Sequence, residues 1–323
     1  MKNYLSIILL VLVSIPVQSD EFTEMFELAE QGDALAQNTL ATMYVNGEGI
    51  PENDVEAVKW YIKSADQGYA RAQNNLGMMH DYGKGVPEND ADAVKWYRKS
   101  ADQGYARAQF NLGNLYGNGK GVRKSHRTAA MWMEKSAEQG HIDAQNQLGV
   151  MYHQGMFYIK SANTAVTWFK KAAEQGHADA QVWLGNIYFW GEGVQKDVIQ
   201  AASWYRKAAD QGNAVAQSVL GAMYESGTGV PENDIEGVKW TRKSADQGYA
   251  KAQDTLAMMY YLGTGVPQDN VKSYTWWSIA QINGYGKPKA YVRKLRKTMT
   301  GDQIAKAEKL AAKCYESDYK DCD

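Results

Sequence analysis

Eight glycines, Gly32, Gly68, Gly104, Gly140, Gly176, Gly212, Gly248 and Gly284, stand thirty-six residues apart without one insertion. The same ruler aligns Ala36-Gln37 through Ala252-Gln253, Leu40 through Leu256, and a tryptophan column running from Trp60 to Trp276. Residues 64–77 and 100–113 are near copies of each other. A fixed period of this length writes one supersecondary unit repeatedly, each unit needing a neighbour to cover its apolar face. An active site, being a single constellation, gives no reason for such copying. Seven units are expected over 32–283.

Within a unit, Ala72, Leu76 and Met79 follow steps of four and three, and Ala93, Trp96, Tyr97 and Ala101 do likewise. Each run places one apolar stripe on a helix, so a unit is a helical hairpin. A Gly-x-Gly pair, such as Gly83 and Gly85, follows the first helix and supplies the positive φ of a tight stop. Four residues beyond its second glycine stands Asn53, Asn89, Ser125, Ser161, Asp197, Asn233 or Asp269, each able to cap the second helix. Asn53 with Glu56, Asn233 with Glu236, and Asp197 with Gln200 are spaced as capping boxes. Alanine at Ala65 and Ala72 lets helices approach, and leucine and tryptophan fill the space they leave.

The ends depart from the pattern. Residues 20–31 read as half a unit capping one end. After Gly284 a basic segment over 287–297 precedes a helix opening at Thr300, and 284–323 reads as the cap of the other end.

The unit Ala-x-Ala-Gln-x-x-Leu-Gly-x-Met-Tyr, Gly-x-Gly-Val-Pro, Ala-Val-Lys-Trp-Tyr-x-Lys-Ser-Ala-x-Gln-Gly resembles the Sel-one-like repeat family, a relative of the tetratricopeptide repeats. The resemblance covers roughly residues 21–284. It implies an all-α fold, a right-handed α/α superhelix whose first helices line a concave groove. It also implies adaptor work, with a protein or peptide as ligand. Two local departures stand out: Gly155-Met156-Phe157-Tyr158 replaces Gly-x-Gly-Val in the fourth unit, and His80 replaces tyrosine in the second.

Residues 1–19 carry a lone charge, Lys2, then an apolar run ending near Val17-Gln18-Ser19. That is the layout of a secretory signal cut after Ser19, and the run is shorter than the roughly 20 apolar residues a spanning helix needs. An uncleaved anchor is the alternative. The leader predicts a periplasmic or secreted protein with no stable membrane anchor. Two cysteines, Cys314 and Cys322, close the chain. In an oxidising compartment they would form a disulfide pinning the tail, the alternative being two idle thiols. Two cysteines without neighbouring ligands do not make a zinc site.

Charge is nearly balanced, 35 Lys plus Arg against 37 Asp plus Glu, with no basic stripe to follow phosphates, so nucleic acid is not an expected partner. Gly117-Asn118-Gly119-Lys120-Gly121 lacks the Ser or Thr that a phosphate loop places after its lysine. His80, His126, His141, His153 and His177 form no ligand motif and read as surface residues, and no Gly-x-Ser-x-Gly elbow occurs. No catalytic residue, metal or cofactor is expected.

Positions where the units disagree carry the specificity. The columns of Asn74, Asn75, Met78, Asp81 and Tyr82 on the first helix vary while their neighbours are fixed, as expected of residues facing partner or solvent. They give Phe110 and Asn114 in the third unit, and Val182, Trp183, Asn186, Phe189 and Trp190 in the fifth, with Phe157 and Tyr158 on the loop before. These residues form a candidate hot-spot patch. The competing reading packs the aromatics beneath the altered fourth-unit loop. Beside a non-enzymatic scaffold stand two further readings: a cell-wall hydrolase or β-lactam-binding enzyme like a cysteine-rich branch of the similar family, and a secreted factor that meets host proteins.

Overall fold

A computed structural model of the chain describes residues 20–156, 161–286, 288–320 and 322. The expected leader over 1–19, and Phe157 and Tyr158, lie outside the described residues. Seventeen helices and no strand occur among the residues described. They fall into two compact bodies, Met1–His141 and Ile142–Asp323.

The first body opens with α1 (Asp20–Glu30), the expected half unit. Three hairpins follow: α2 (Ala34–Asn46) with α3 (Asp54–Asp66), α4 (Ala70–Tyr82) with α5 (Asp90–Asp102), and α6 (Ala106–Asn118) with α7 (His126–Glu138). The second body holds α8 (Ile142–Gln154) with α9 (Ala162–Glu174), α10 (Ala178–Trp190) with α11 (Val198–Asp210), α12 (Ala214–Ser226) with α13 (Asp234–Ala245), and α14 (Ala250–Leu262) with α15 (Asn270–Ile282). Two closing helices complete it, α16 (Pro288–Arg296) and α17 (Gly301–Glu316). In each body consecutive helices pack on one another, the arrangement of an α-solenoid.

All seven capping side chains expected from the sequence accept a backbone N–H at the start of a second helix. The expected capping boxes are half built. Glu56 and Glu236 turn their carboxylates to Lys59 and Lys239, at 2.6 and 2.5 Å, because a lysine three residues on offers a charged partner. A complete box forms instead at Thr300 and Gln303, opening α17.

The Gly-x-Gly pairs do more than turn the chain. The first glycine ends the helix in the left-handed region, as at Gly83 with φ 64°. The second also has positive φ and lies against the preceding hairpin: a Cβ on Gly85 would stand 2.2 Å from the Asp54 carbonyl oxygen. Gly121 and Gly229 make the same approach to Asp90 and Val198. The loop of one repeat therefore rests on the first turn of the repeat before it.

The copied Gln and Ser residues are explained by hydrogen bonds: each Gln reaches a carbonyl of the repeat before, and each Ser ties the second helix of a repeat to its first. Gln73, buried, donates to the Ala65 carbonyl at 3.1 Å and accepts from Gln103 at 2.7 Å. The same pair of bonds recurs at Gln109 in the first body and at Gln181 and Gln217 in the second. Ser64, Ser100, Ser136 and Ser244 each donate to a carbonyl thirty residues upstream, at 2.6 to 2.7 Å. Buried polar groups are tolerable here because each has its partner, the glutamines in the preceding copy and the serines in the first helix of their own.

Tryptophan fills packed space as its size suggests, with one side at the edge of the core. Trp60, Trp132, Trp204 and Trp240 are buried and Trp96 and Trp168 half-buried, each with the lysine three residues on above its ring, at 3.6 to 4.6 Å. The deepest column is its neighbour, Tyr97 or Phe169, seated in the space that Gly77 or Gly149 leaves open on the facing helix. Trp276, with no lysine three residues on and α17 packed on its helix, is fully buried.

Candidate protein-binding face

The variable columns of the first helices have two fates. Asn74 is fully buried and accepts from Asn111 at 3.0 Å, so in this repeat the column belongs to the stack, whereas Phe110 and Val182 in the same column are half-buried. Its variation reflects choices among side chains that can sit between neighbouring first helices. The columns of Asn75, Met78 and Asp81 are half-buried, and Tyr82 is 69% exposed. Their outer atoms form the accessible surface of the first helices.

In the first body, Phe110 is half-buried and stacks on His141 with ring centroids 4.9 Å apart, and Asn114 is half-buried on the same helix. In the second body, α10 brings Val182, Trp183, Asn186, Phe189 and Trp190 onto one element. Trp183 stacks on Phe169 at 5.4 Å and touches His153 at 5.0 Å, so it spans α8, α9 and α10. Val182 and Phe189 lean on the core built around Tyr205, and Asn186 accepts the Tyr205 hydroxyl at 2.7 Å. Trp190 differs from all of these: two-thirds of its surface, 67%, is open, and it meets Phe189 edge to face at 4.9 Å. Lys196 lies above the other ring of that pair, at 5.9 Å from Phe189.

The ends of the first helices also meet the following Gly-x-Gly loop, and the residues there differ from repeat to repeat. Asp81 faces Lys120 at 3.8 Å and accepts from Tyr97 at 3.4 Å. Lys120 also reaches Asp90 at 3.8 Å. The corresponding pair in the second body is His153 and Glu192, 3.7 Å apart. Burial is the main cause that raises Asp81 above the usual aspartate range, Lys120 opposing it, and burial followed by Asp81 raises the Tyr97 hydroxyl as well. Between α2 and α4 the same slot opens into an apolar cleft of about 360 Å³ beside Val45, Tyr61, Met78 and Tyr82.

The histidines are not idle surface groups. His141 stacks as described, and His177 caps its helix by accepting the Ala180 N–H at 3.2 Å. Among the described residues no group of three or more His, Cys, Asp or Glu could hold a metal ion. Cys314 and Cys322 form a disulfide with both residues buried. No helix among the described residues is long and apolar enough to cross a membrane.

The model of the Sel1 repeat matches residues 34–69, 70–105, 106–141, 142–177, 178–213, 214–249 and 250–280. The chain belongs to the Sel1-repeat family. Members of the Sel1 family generally act as scaffolds for protein–protein interaction. A Sel1 repeat protein from Oxalobacter formigenes is 33% identical, with 85% of this chain and 79% of that one covered and a TM-score of 0.69. The protein c5321, described as a protective antigen present in uropathogenic Escherichia coli strains displaying an SLR fold, is 27% identical over 91% of this chain and 87% of its own, with a TM-score of 0.54. No curated protein matches the chain's sequence.

Proposed function

We propose that this Sel1-repeat protein is a non-enzymatic scaffold, exported from the cytoplasm by cleavage near Ser19, that holds a protein or peptide in the concave groove lined by its first helices. The observation that carries the reading is Trp190, open to solvent at the end of α10 beside Phe189, in a chain whose copied columns are buried. Trp190 stands in a column filled by Asn46, Asn118, Gln154 and Ser226 in four other repeats and by Tyr82 and Leu262 in two, and an exposed tryptophan against a half-buried phenylalanine is the composition of an interface anchor. Trp183 and Asn186 serve as its support, since they are tied to Phe169 and Tyr205. Phe110 and Asn114 supply the corresponding surface of the first body, and Phe157 and Tyr158, outside the described residues, join the candidate set from the sequence alone.

Export is supported by the Cys314–Cys322 disulfide, which persists in an oxidising compartment, and by the apolar leader. The similar protein from uropathogenic Escherichia coli is described as a protective antigen, which fits an exported protein.

The test compares purified wild type with the Phe189→Ala, Trp190→Ala double variant as bait in extracts of the cell envelope. Loss of specifically retained proteins, with the melting temperature unchanged for the exposed Trp190→Ala single variant, is the expected result. Retention identical for bait with and without the pair rejects the patch. Fractionation of expressing cells tests export: mature chain in the cytoplasm with residues 1–19 intact rejects it.

A further inference from the structure

Two slots in the first body share one backbone geometry and differ in chemistry. In the slot between α4 and α6, Lys120 is neutralised by Asp81 and Asp90, both at 3.8 Å, and the surrounding first-helix positions are Asn111, Asn114 and Asn118. In the slot between α2 and α4, valine stands in the aspartate column and Lys84 in the lysine column. Lys84 is exposed and makes no ion pair among the described residues, neither with Asp54, the counterpart of Asp90, nor with another carboxylate. Buried Tyr61 and Met79 floor the cleft, Val45 and Met78 wall it, and the open ring of Tyr82 extends one side.

We infer that this cleft docks an extended peptide segment in which an acidic side chain stands next to a bulky aliphatic one. The aliphatic group fills the apolar floor, which water otherwise wets. The carboxylate meets Lys84, the cation its slot leaves without a counter-charge. The neighbouring slot favours a peptide over another amphipathic anion. Neighbouring first helices, here joined by Asn111 donating to Asn74, stand about 8 to 10 Å apart, or about three extended residues. Asn114 and Asn118 lie along that path and offer amides to peptide backbone groups. The inference rests on the scaffold reading and shares Asn114 with it, but its cleft and Lys84 lie apart from Phe189 and Trp190.

The test uses blocked hexapeptides with Gly-Ser flanks that differ in the central pair: Glu-Leu, Gln-Leu, Glu-Ala and Lys-Leu. Sodium dodecanoate serves as a non-peptide anion, and binding is followed by saturation-transfer NMR on the full chain. Glu-Leu should bind at millimolar strength, with Gln-Leu and Glu-Ala weaker by about three- to fivefold. Lys84→Glu, at an exposed position, should invert the order of Glu-Leu and Lys-Leu. The inference is overturned if no peptide binds at millimolar concentration, if charge and side-chain size make no difference, if the preference survives Lys84→Glu, or if dodecanoate alone binds through Lys84. Should the peptides fail while envelope proteins are still retained through Phe189 and Trp190, the cleft is rejected and the scaffold reading stands.

Discussion

At the scale of single residues, the side chains that matter most are polar and buried. Gln109 donates to Ala101 and accepts from Gln139, so Gln109→Leu removes both bonds, leaving the Ala101 carbonyl its bond from Gly104 and the Gln139 amide a longer one to Lys135. A loss of about 1 to 3 kcal/mol is expected, measured by urea unfolding. Asp81 carries a pH dependence. Burial raises its proton affinity in the folded chain, so its contribution to stability is complete below the ordinary value of 3.8 and is lost as pH rises through the raised value. Glu225 is shifted the same way, by burial and then by Asp234. Removing both charges, with Asp81→Asn and Glu225→Gln, should flatten the decline in the urea midpoint as pH rises above about 4. A decline as steep as that of wild type would show that other groups set it. Asp81 was legible as a variable column, but its partner Lys120 lies thirty-nine positions on, in the loop of the next repeat, and nothing local announces the pairing.

At the scale of the helix and its loop, two glycines that look alike in sequence have different work. Gly68 has φ 88° with nothing within 4 Å of a built Cβ, whereas at Gly85 that Cβ meets the Asp54 carbonyl oxygen at 2.2 Å. Gly68→Ala should therefore cost about 1 to 2 kcal/mol from backbone strain alone. Gly85→Ala should exceed about 3 kcal/mol, because the loop must also lift off the preceding helix. Thermal melts of the two variants compare them directly, and equal losses would contradict the contact. Both glycines could be assigned to turns from their spacing. The close approach of the second could not, since it depends on the hairpin before. The N-caps of the second helices were legible, because a cap joins residues two or three apart and its chemistry is local, whereas those of first helices at Asp33, His177 and Asn213 were not read.

At the scale of the whole molecule, each body gains stability from interfaces between like neighbours, so its ends need separate cover. In the second body the cover is α17, packed on α15, together with a tail that the disulfide returns to the last repeats. Tyr319 donates to Asn283 at 2.9 Å and lies over Gly248, where a Cβ would meet its ring at 2.7 Å. Asn283 in turn donates to Gln253 at 2.9 Å, so the tail closes the glutamine ladder of that body. Replacing Cys314 and Cys322 by serine should lower stability by about 2 to 3 kcal/mol, the loop-entropy value for eight intervening steps. Hydrogen exchange should rise in α15 and α17 and stay unchanged in the first body. A uniform rise over both bodies would mean that the tail does more than close one end.

The period, the hairpins, their caps and the family were determined by the sequence alone, because each rests on contacts within one unit and each is written seven times. Tertiary structure decided which variable columns are open, which are stacked, and which charged groups meet. A helix stripe records that a position is covered, but Asn74 and Asn75 differ by one residue and 100° of rotation, and only the placement of the next helix separates burial from exposure. The same holds for Trp190 and Lys84, whose freedom depends on what their neighbours in the adjacent repeats leave uncovered.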